Sequence, residues 1–339
     1  MGANVVRRLL ADGEDVRVLI RPGDSTDAVR GLPLECVEGD LRDAEAVARA
    51  VGGTRRVYHV GAIVSTVSGT PLHRQAIFET NVLGTKHVLD AALACGVERV
   101  VVTGSFSAVG YDPKDPTRPS NEEMPFDPFR SPTPYSTSKA AAEHECWKAA
   151  ARGLDVAVAV SCAVVGGNDF VPSRLGGVLC AFSKGRIAAY IPGGFPFVAA
   201  KDIAEGHVLT MKKGRRGERY IFASEYRTMD DLMGIFEEVT GRRRPPIRLS
   251  RATMSKIART LDPIITHFVP PERHRLTEAA VHILGLQRRA DTGKADRELG
   301  FRPTSIRDAV REAYDEFCSR GLIVRRHSNV GVNSTRAAS

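Results

Sequence analysis

The chain has 339 residues, 42% hydrophobic and 26% charged, an ordinary globular composition with enough apolar material for one large domain or two unequal ones. No run of about 18 uncharged apolar residues occurs, so the sequence predicts no transmembrane helix. The net charge of +8 is carried partly by short clusters, Lys212-Lys213-Gly214-Arg215-Arg216, Arg242-Arg243-Arg244 and Arg325-Arg326, which lack interleaved aromatics and read as solvated surface rather than a nucleic-acid face.

The N-terminus opens on Met1-Gly2-Ala3-Asn4 without the charged-then-apolar order of a signal peptide. Six cysteines (Cys36, Cys95, Cys146, Cys162, Cys180, Cys318) are scattered with no CxxC pair. That pattern argues against a disulfide framework or a zinc site and predicts a reducing compartment, the cytoplasm.

In chain order, Gly2–Asp12 reads as a helix with Val5, Val6, Leu9 and Leu10 on its apolar side, stopped at Gly13. Asp15–Ile20 reads as a strand, Asp43–Val51 as a helix and Arg56–Ala62 as a strand. Thr80–Ala94 has helical spacing, Glu98–Thr103 is a buried strand, Pro134–Arg152 a helix and Asp155–Val160 a strand. This alternation predicts an α/β fold, a doubly wound parallel sheet with helices on both faces. From Gly166 to Gly194 glycine and proline are dense, and helices are expected at Asp202–Met211, Met229–Thr240 and Ser305–Cys318. The division expected is a dinucleotide-binding domain at 1–165, a smaller, mostly helical substrate lobe with returning elements at 166–322, and a disordered tail at 323–339.

A dinucleotide fold normally opens on a strand and a glycine-rich turn ahead of its first helix. Here the helix stands first. The motifs that follow nevertheless come in a recognisable order. They are Gly2-Ala3-Asn4-Val5-Val6, Gly39-Asp40-Leu41, Asn81-Val82-Leu83-Gly84-Thr85, Thr103-Gly104-Ser105, Tyr135-Ser136-Thr137-Ser138-Lys139, Phe197-Val198 with Asp202-Ile203-Ala204 and Gly206-His207, and Glu298-Leu299-Gly300-Phe301. Over about residues 2 to 322 the chain resembles the extended short-chain dehydrogenase/reductases, in particular their dihydroflavonol-reductase-like and NAD-dependent epimerase/dehydratase branch. The resemblance implies a Rossmann-type sheet whose central first strand and TGxxGxxG turn are absent, leaving apolar faces and unpaired edges. Met1 stands where members carry leucine or isoleucine, so the expectation is a start read too late at a leucine codon, or a truncated chain.

Tyr135 and Lys139 stand four apart after Pro132 and Pro134, a spacing that puts both on one helix face. A neighbouring ammonium favours phenolate, so Lys139 is expected to draw the Tyr135 pKa down from its ordinary value near 10. Such a phenol exchanges a proton with a ketone or alcohol oxygen. Ser105 closes a strand, where ligands of open α/β sheets sit, and by family position it matches the catalytic hydroxyl, with Ser107 the near alternative. The resemblance also implies that Lys139 holds the nicotinamide ribose and that Gly2 and Cys162 border the cofactor. Asp40 and Leu41 would flank the adenine, with Val60, Gly61 and Ala62 beneath the cofactor. Arg21 stands at the end of the second strand where an NAD enzyme carries an acid. The cofactor expected is therefore NADP(H), with NAD(H) the alternative.

His59, His87, His144 and His207 have no metal-ligand spacing and read as structural. Phe106 and Ser107 occupy the positions of the acidic pair found in nucleotide-sugar dehydratases, which disfavours that route. Phe106, Phe126, Phe129, Phe170, Phe195 and Phe197 suggest an apolar substrate region. The first expectation is an NADPH-dependent ketone reductase, or reverse alcohol dehydrogenase, acting on a mid-sized, partly apolar metabolite. A nucleotide-sugar epimerase with tightly bound NAD is the second, with Arg174, Lys184 and Arg186 as diphosphate contacts. A non-catalytic cofactor-binding regulator is the third. The partners expected are a small-molecule substrate and a second copy in a homodimer, without nucleic acid or membrane.

Overall fold

The computed structural model describes residues 1–65, 67, 69–130, 133–250, 252–253, 256 and 277–325. Its centre is a four-stranded parallel sheet in the order β3 (Arg56–His59), β4 (Arg99–Ser105), β5 (Val156–Ser161), β9 (Arg219–Phe222). β4 from Val100 onward and all of β5 are buried. Such near-continuous runs of valine and alanine suit strands covered on both faces. The covering helices include α2 (Ala44–Val51), α4 (Gly84–Ala94), α5 (Pro134–Ala151) and α7 (Ala200–Lys213).

The α/β architecture expected from the sequence is present, and most expected elements lie within two residues of their predicted ends. The helix expected from Thr80 is longer. Thr70 caps α3 (Pro71–Phe78), with Pro71 pre-set for the first turn, and a π turn at Glu79–Leu83 carries the run into α4. The π turn absorbs an extra residue and so breaks the 3.6-residue spacing by which a helix is read.

The C-terminal lobe is built on more strand than its sequence announces. β8 (Gly194–Ala199) pairs with β6 (Ala163–Val165) in parallel and with β10 (Glu225–Thr228) in antiparallel, and β7 (Ala189–Tyr190) pairs with β11 (Ile247–Arg248). Helices α6 (Arg174–Ser183), α8 (Met229–Thr240) and Ile306–Ser319 enclose a second core around Phe182, Phe197, Phe236 and Phe317. Phe301 returns to the first core, edge-on to Phe222 at 4.9 Å. The expected tail at 323–339 lies outside the described residues from 326 on, and Ile323 is buried in the second core rather than loose.

The parallel sheet is in two pieces. β1 (Arg17–Ile20) pairs in parallel with β2 (Glu35–Glu38), and among the described residues no ladder joins β1 to β3. Both strands border one cavity of about 1270 Å³, which Val5, Val6 and Leu9 of α1 (Gly2–Ala11) also line. Edges without a ladder partner among the described residues and apolar side chains thus lie beside that cavity.

The basic clusters sit among acids: Lys212 faces Asp12, Arg215 faces Glu298, and Arg325 faces Asp315. Two histidines are fully enclosed. His59 Nε2 lies 2.9 Å from Thr85 Oγ1, and His207 bridges Thr103 Oγ1 at 2.7 Å and the Ile203 carbonyl at 2.7 Å. Burial lowers their pKa values to about 3 for His59 and about 4 for His207.

Both folded values lie below the unfolded value near 6.5, so the unfolded chain binds more protons in acid. The stability concerned is fully present above pH 6.5 and is lost as pH falls toward the folded values. At pH 5 each histidine should remove about 2 kcal/mol. The urea midpoint should therefore drop between pH 7 and pH 5, and drop less in His207→Gln. A midpoint that stays level across that interval would contradict the assignment.

Candidate active site

The expected catalytic residues are gathered at the carboxyl end of β4. Ser105 pairs in register with Ser161 of β5, and its side chain accepts from the Ser107 amide to cap the turn Phe106–Ala108. The two hydroxyls, Ser105 Oγ and Ser107 Oγ, are 2.8 Å apart. Across from them α5 starts at Pro134, with the Thr133 side chain accepting from the Ser136 amide. This N-cap places Tyr135 in the first turn, where its phenol is close enough to Ser105 for that hydroxyl to act on its pKa. Lys139, one turn on, is buried and donates to the Thr103 carbonyl at 2.5 Å.

The Ser105, Tyr135 and Lys139 side chains thus converge on three consecutive residues of one strand end. Burial raises the Tyr135 pKa, and Ser105 opposes it. Burial lowers the Lys139 pKa, and Glu143 then Cys146 oppose that shift. The sequence expectation that Lys139 pulls the phenol down is not met in this arrangement. The Nζ is turned to Thr103, and desolvation dominates at the ring.

Gly2, Arg21, Asp40, Leu41, Val60, Gly61 and Ala62 all line the cavity between β1 and β3. Leu41 explains two of the glycine positions. A Cβ on Gly61 would stand 2.8 Å from Leu41 Cδ1, and one on Gly84 would stand 2.9 Å from Leu41 Cβ. The close approach therefore needs glycine on both sides. Asp40 receives Arg42 at 2.8 Å, and this hydrogen bond holds its carboxyl below the usual range. Arg21 is exposed and pairs with Asp24 at 2.6 Å. Cys162 is buried beyond β5, away from the cavity lining, and burial pushes its thiol well up.

The residues available to a dinucleotide fit one. The N-terminus of α1 has no side-chain cap and no acid in its first turn, which leaves amide donors and a favourable dipole for an anionic group. Asn81 connects this cavity to the catalytic helix. Its Oδ1 accepts from the Ile63 amide at 2.8 Å and its Nδ2 donates to Ser138 Oγ at 3.0 Å. The sequence reading had Asn81 only as part of a motif; its signal was its place in the run Asn81–Thr85. Among the described residues no group of three His, Cys, Asp or Glu side chains could hold a metal ion.

The six phenylalanines do not form one wall. Phe195 and Phe197 meet edge to face at 6.1 Å, and Phe197 belongs to the second core. Phe170 lies under the guanidinium groups of Arg7 and Arg320, Phe106 lies under that of Arg288, and Phe129 is exposed. Lys184 and Arg186 are exposed beyond the end of α6.

Comparison with known proteins identifies the family and the fold. Residues 1–223 match the model of the NAD dependent epimerase/dehydratase family. Sterol demethylase protein B of Methylococcus capsulatus is 40% identical over 323 residues, 95% of this chain and 97% of that protein. A putative dihydroflavonol 4-reductase of Synechocystis is 28% identical over 332 residues, 95% of this chain and 93% of the relative. The crystal structure of gox2253 superposes with a TM-score of 0.81 at 28% identity, covering 95% of this chain and 96% of the other. No helix among the described residues is long and apolar enough to cross a membrane. The chain belongs to the NAD-dependent epimerase/dehydratase family and is an NAD(P)-dependent oxidoreductase of the extended short-chain dehydrogenase/reductase type.

Proposed function

We propose that the chain transfers hydride between NADP(H) and a ketone–alcohol pair on a mid-sized, largely apolar ring system of the sterol kind. The observation that carries this reading is the convergence of Ser105, Tyr135 and a buried Lys139, bound to the Thr103 carbonyl, at the carboxyl end of β4. The substrate class draws on the sterol and dihydroflavonol named for the two relatives.

When bound, the nicotinamide supplies or accepts the hydride. The chain's own residues manage the oxygen. Ser105 Oγ hydrogen-bonds the carbonyl oxygen and keeps it within reach of Tyr135. The phenol, held protonated by burial, gives its proton to that oxygen during reduction and takes one back during oxidation. Lys139 contributes a positive charge beneath the phenol and a donor to a ribose hydroxyl. The free cysteines, with Cys36 and Cys95 exposed, suit a reducing compartment, and we place the enzyme in the cytoplasm.

Tyr135→Phe should lower turnover about 10²-fold or more while leaving NADPH affinity nearly intact, measured with a panel of ring ketones. Activity kept within a few-fold would remove Tyr135 from the mechanism. The nucleotide-sugar reading predicts instead that the protein purifies with NAD bound and consumes no added NADPH.

The preference for NADP(H) is assigned to Arg21, which would exchange Asp24 for a 2′-phosphate. Arg21→Asp should weaken NADPH binding about ten- to a hundredfold, the scale of one lost charge-assisted contact, and leave NADH little changed. Wild-type protein that already prefers NADH in a fluorescence titration would overturn the assignment.

A further inference from the structure

We propose that Glu143 is a positioning residue for the reaction, a buried carboxylate that holds Lys139 in its charged, cofactor-binding form. The proposal rests on the reading of Lys139 as a cofactor contact given above.

Glu143 follows Lys139 by four residues on α5, so the two lie on one face a single turn apart. Its side chain is 3% exposed. Oε2 accepts from Arg219 Nη1 at 2.9 Å, while Oε1 is buried and has no hydrogen-bond partner. A buried carboxylate oxygen left without a donor costs free energy, so a second role is needed to account for it. That oxygen lies against β4. A Cβ on Gly104 would stand 3.1 Å from it. Gly104 follows Thr103, whose carbonyl receives the Lys139 ammonium. The carboxylate and the ammonium therefore press on neighbouring residues of the same strand end from the same helix.

The electrostatics follow from what surrounds Lys139. On its own helix stand Tyr135, Glu143 and Cys146; β4 presents the Thr103 carbonyl; β3 and α7 present the buried imidazoles of His59 and His207. Arg219 of β9 reaches Glu143 but not Lys139. Of these groups Glu143 is the one that can carry negative charge: burial pushes its carboxyl up, and Arg219 first, then Lys139, oppose that shift and favour the carboxylate. Burial alone would drive the ammonium toward its neutral form, and Glu143 is the main opposing influence.

Arg219 anchors the carboxylate. Its Nε and Nη2 donate to the Glu122 and Met124 carbonyls at 2.8 and 2.9 Å, and Gly110 donates to the same Met124 carbonyl at 3.2 Å. The pair thus ties the catalytic helix to the loop behind Ser105.

The test is NADPH fluorescence titration across pH 6 to 10 on the full chain, with no substrate required. In wild type the affinity should hold until Lys139 loses its proton. In Glu143→Gln the loss of affinity should begin about one to two pH units lower. Arg219→Lys, which keeps a cation on the carboxylate, should not move the onset downward. If both variants lower the onset alike, the pair is packing only and the proposal fails. Should Glu143→Gln not fold, Glu143→Gln with Arg219→Gln restores a neutral hydrogen-bonded pair and must show the same downward onset. Lys139→Met separates the two readings. If it leaves NADPH binding unchanged, Lys139 is not a cofactor contact and both readings fall. If it weakens binding while Glu143→Gln leaves the onset in place, only the Glu143 proposal falls.

Discussion

The carbonyl of Thr103 is the point on which the site is built. It belongs to a strand buried from Val100 onward and receives a buried ammonium at 2.5 Å. An ammonium in such surroundings must have acceptors, because an unpaired buried charge is far more costly than a paired one. Satisfying it fixes how far α5 sits from β4, and that distance sets where Tyr135 meets Ser105. On the other side of the strand the Thr103 hydroxyl is taken by His207, whose second nitrogen faces the Ile203 carbonyl. One residue thus joins the catalytic helix to α7, and α7 carries Asp202. Asp202 in turn receives the Thr304 amide and hydroxyl and the Ser224 hydroxyl, so the strand end is tied to the C-terminal segment through two intermediate residues.

The first third of the chain obeys a different constraint. β1 and β2 have each other, β3 has β4, and the edges that face the cavity have no ladder partner among the described residues. Backbone N–H and C=O groups left this way are exposed to water or to another extended segment. The cavity-lining residues Arg21 and Asp40 are carried by the β1–β2 piece, whereas Lys139 and Ser105 are carried by the other. Leu41, wedged against Gly61 and Gly84, is one apolar link between the pieces, and Val47 and Val51 of α2, in one core with Val88 of α4, are others.

What could be read from the sequence follows from how locally each feature is encoded. β4 and β5 announce themselves because a strand buried on both faces is an unbroken apolar run, and α8 does so through Thr228, Asp231 and Gly241, a capping box and a left-handed stop. β6, β8 and β10 do not, because their short runs carry Gly194 and Pro196 and become strands only by pairing with segments tens of residues away. Tyr135 and Lys139 were legible from spacing and order. Glu143 and Arg219 were not, since residues 76 apart in sequence have no local signal for a buried ion pair. The depressed histidines belong to the same class, because their shifts come from enclosure rather than from neighbours in the chain.

The wall behind Ser105 bears on substrate choice. Arg288 lies 4.4 Å from the centre of Phe106 and 4.8 Å from that of Tyr111, and its terminal nitrogens donate to the carbonyls of Phe106, Val109 and Gly110. Burial lowers its pKa to about 10, still high enough to keep it charged at neutral pH. A guanidinium so engaged with backbone and rings cannot also turn to a substrate diphosphate without releasing the loop it holds. Lys184 and Arg186 are exposed beyond the end of α6, where an ion pair is screened and weak. The turn after Ser105 is therefore fixed by a cation stacked on aromatic rings, with Phe106 and Ser107 where dehydration would need acids. A wall of that kind is in keeping with the apolar ring proposed above as substrate.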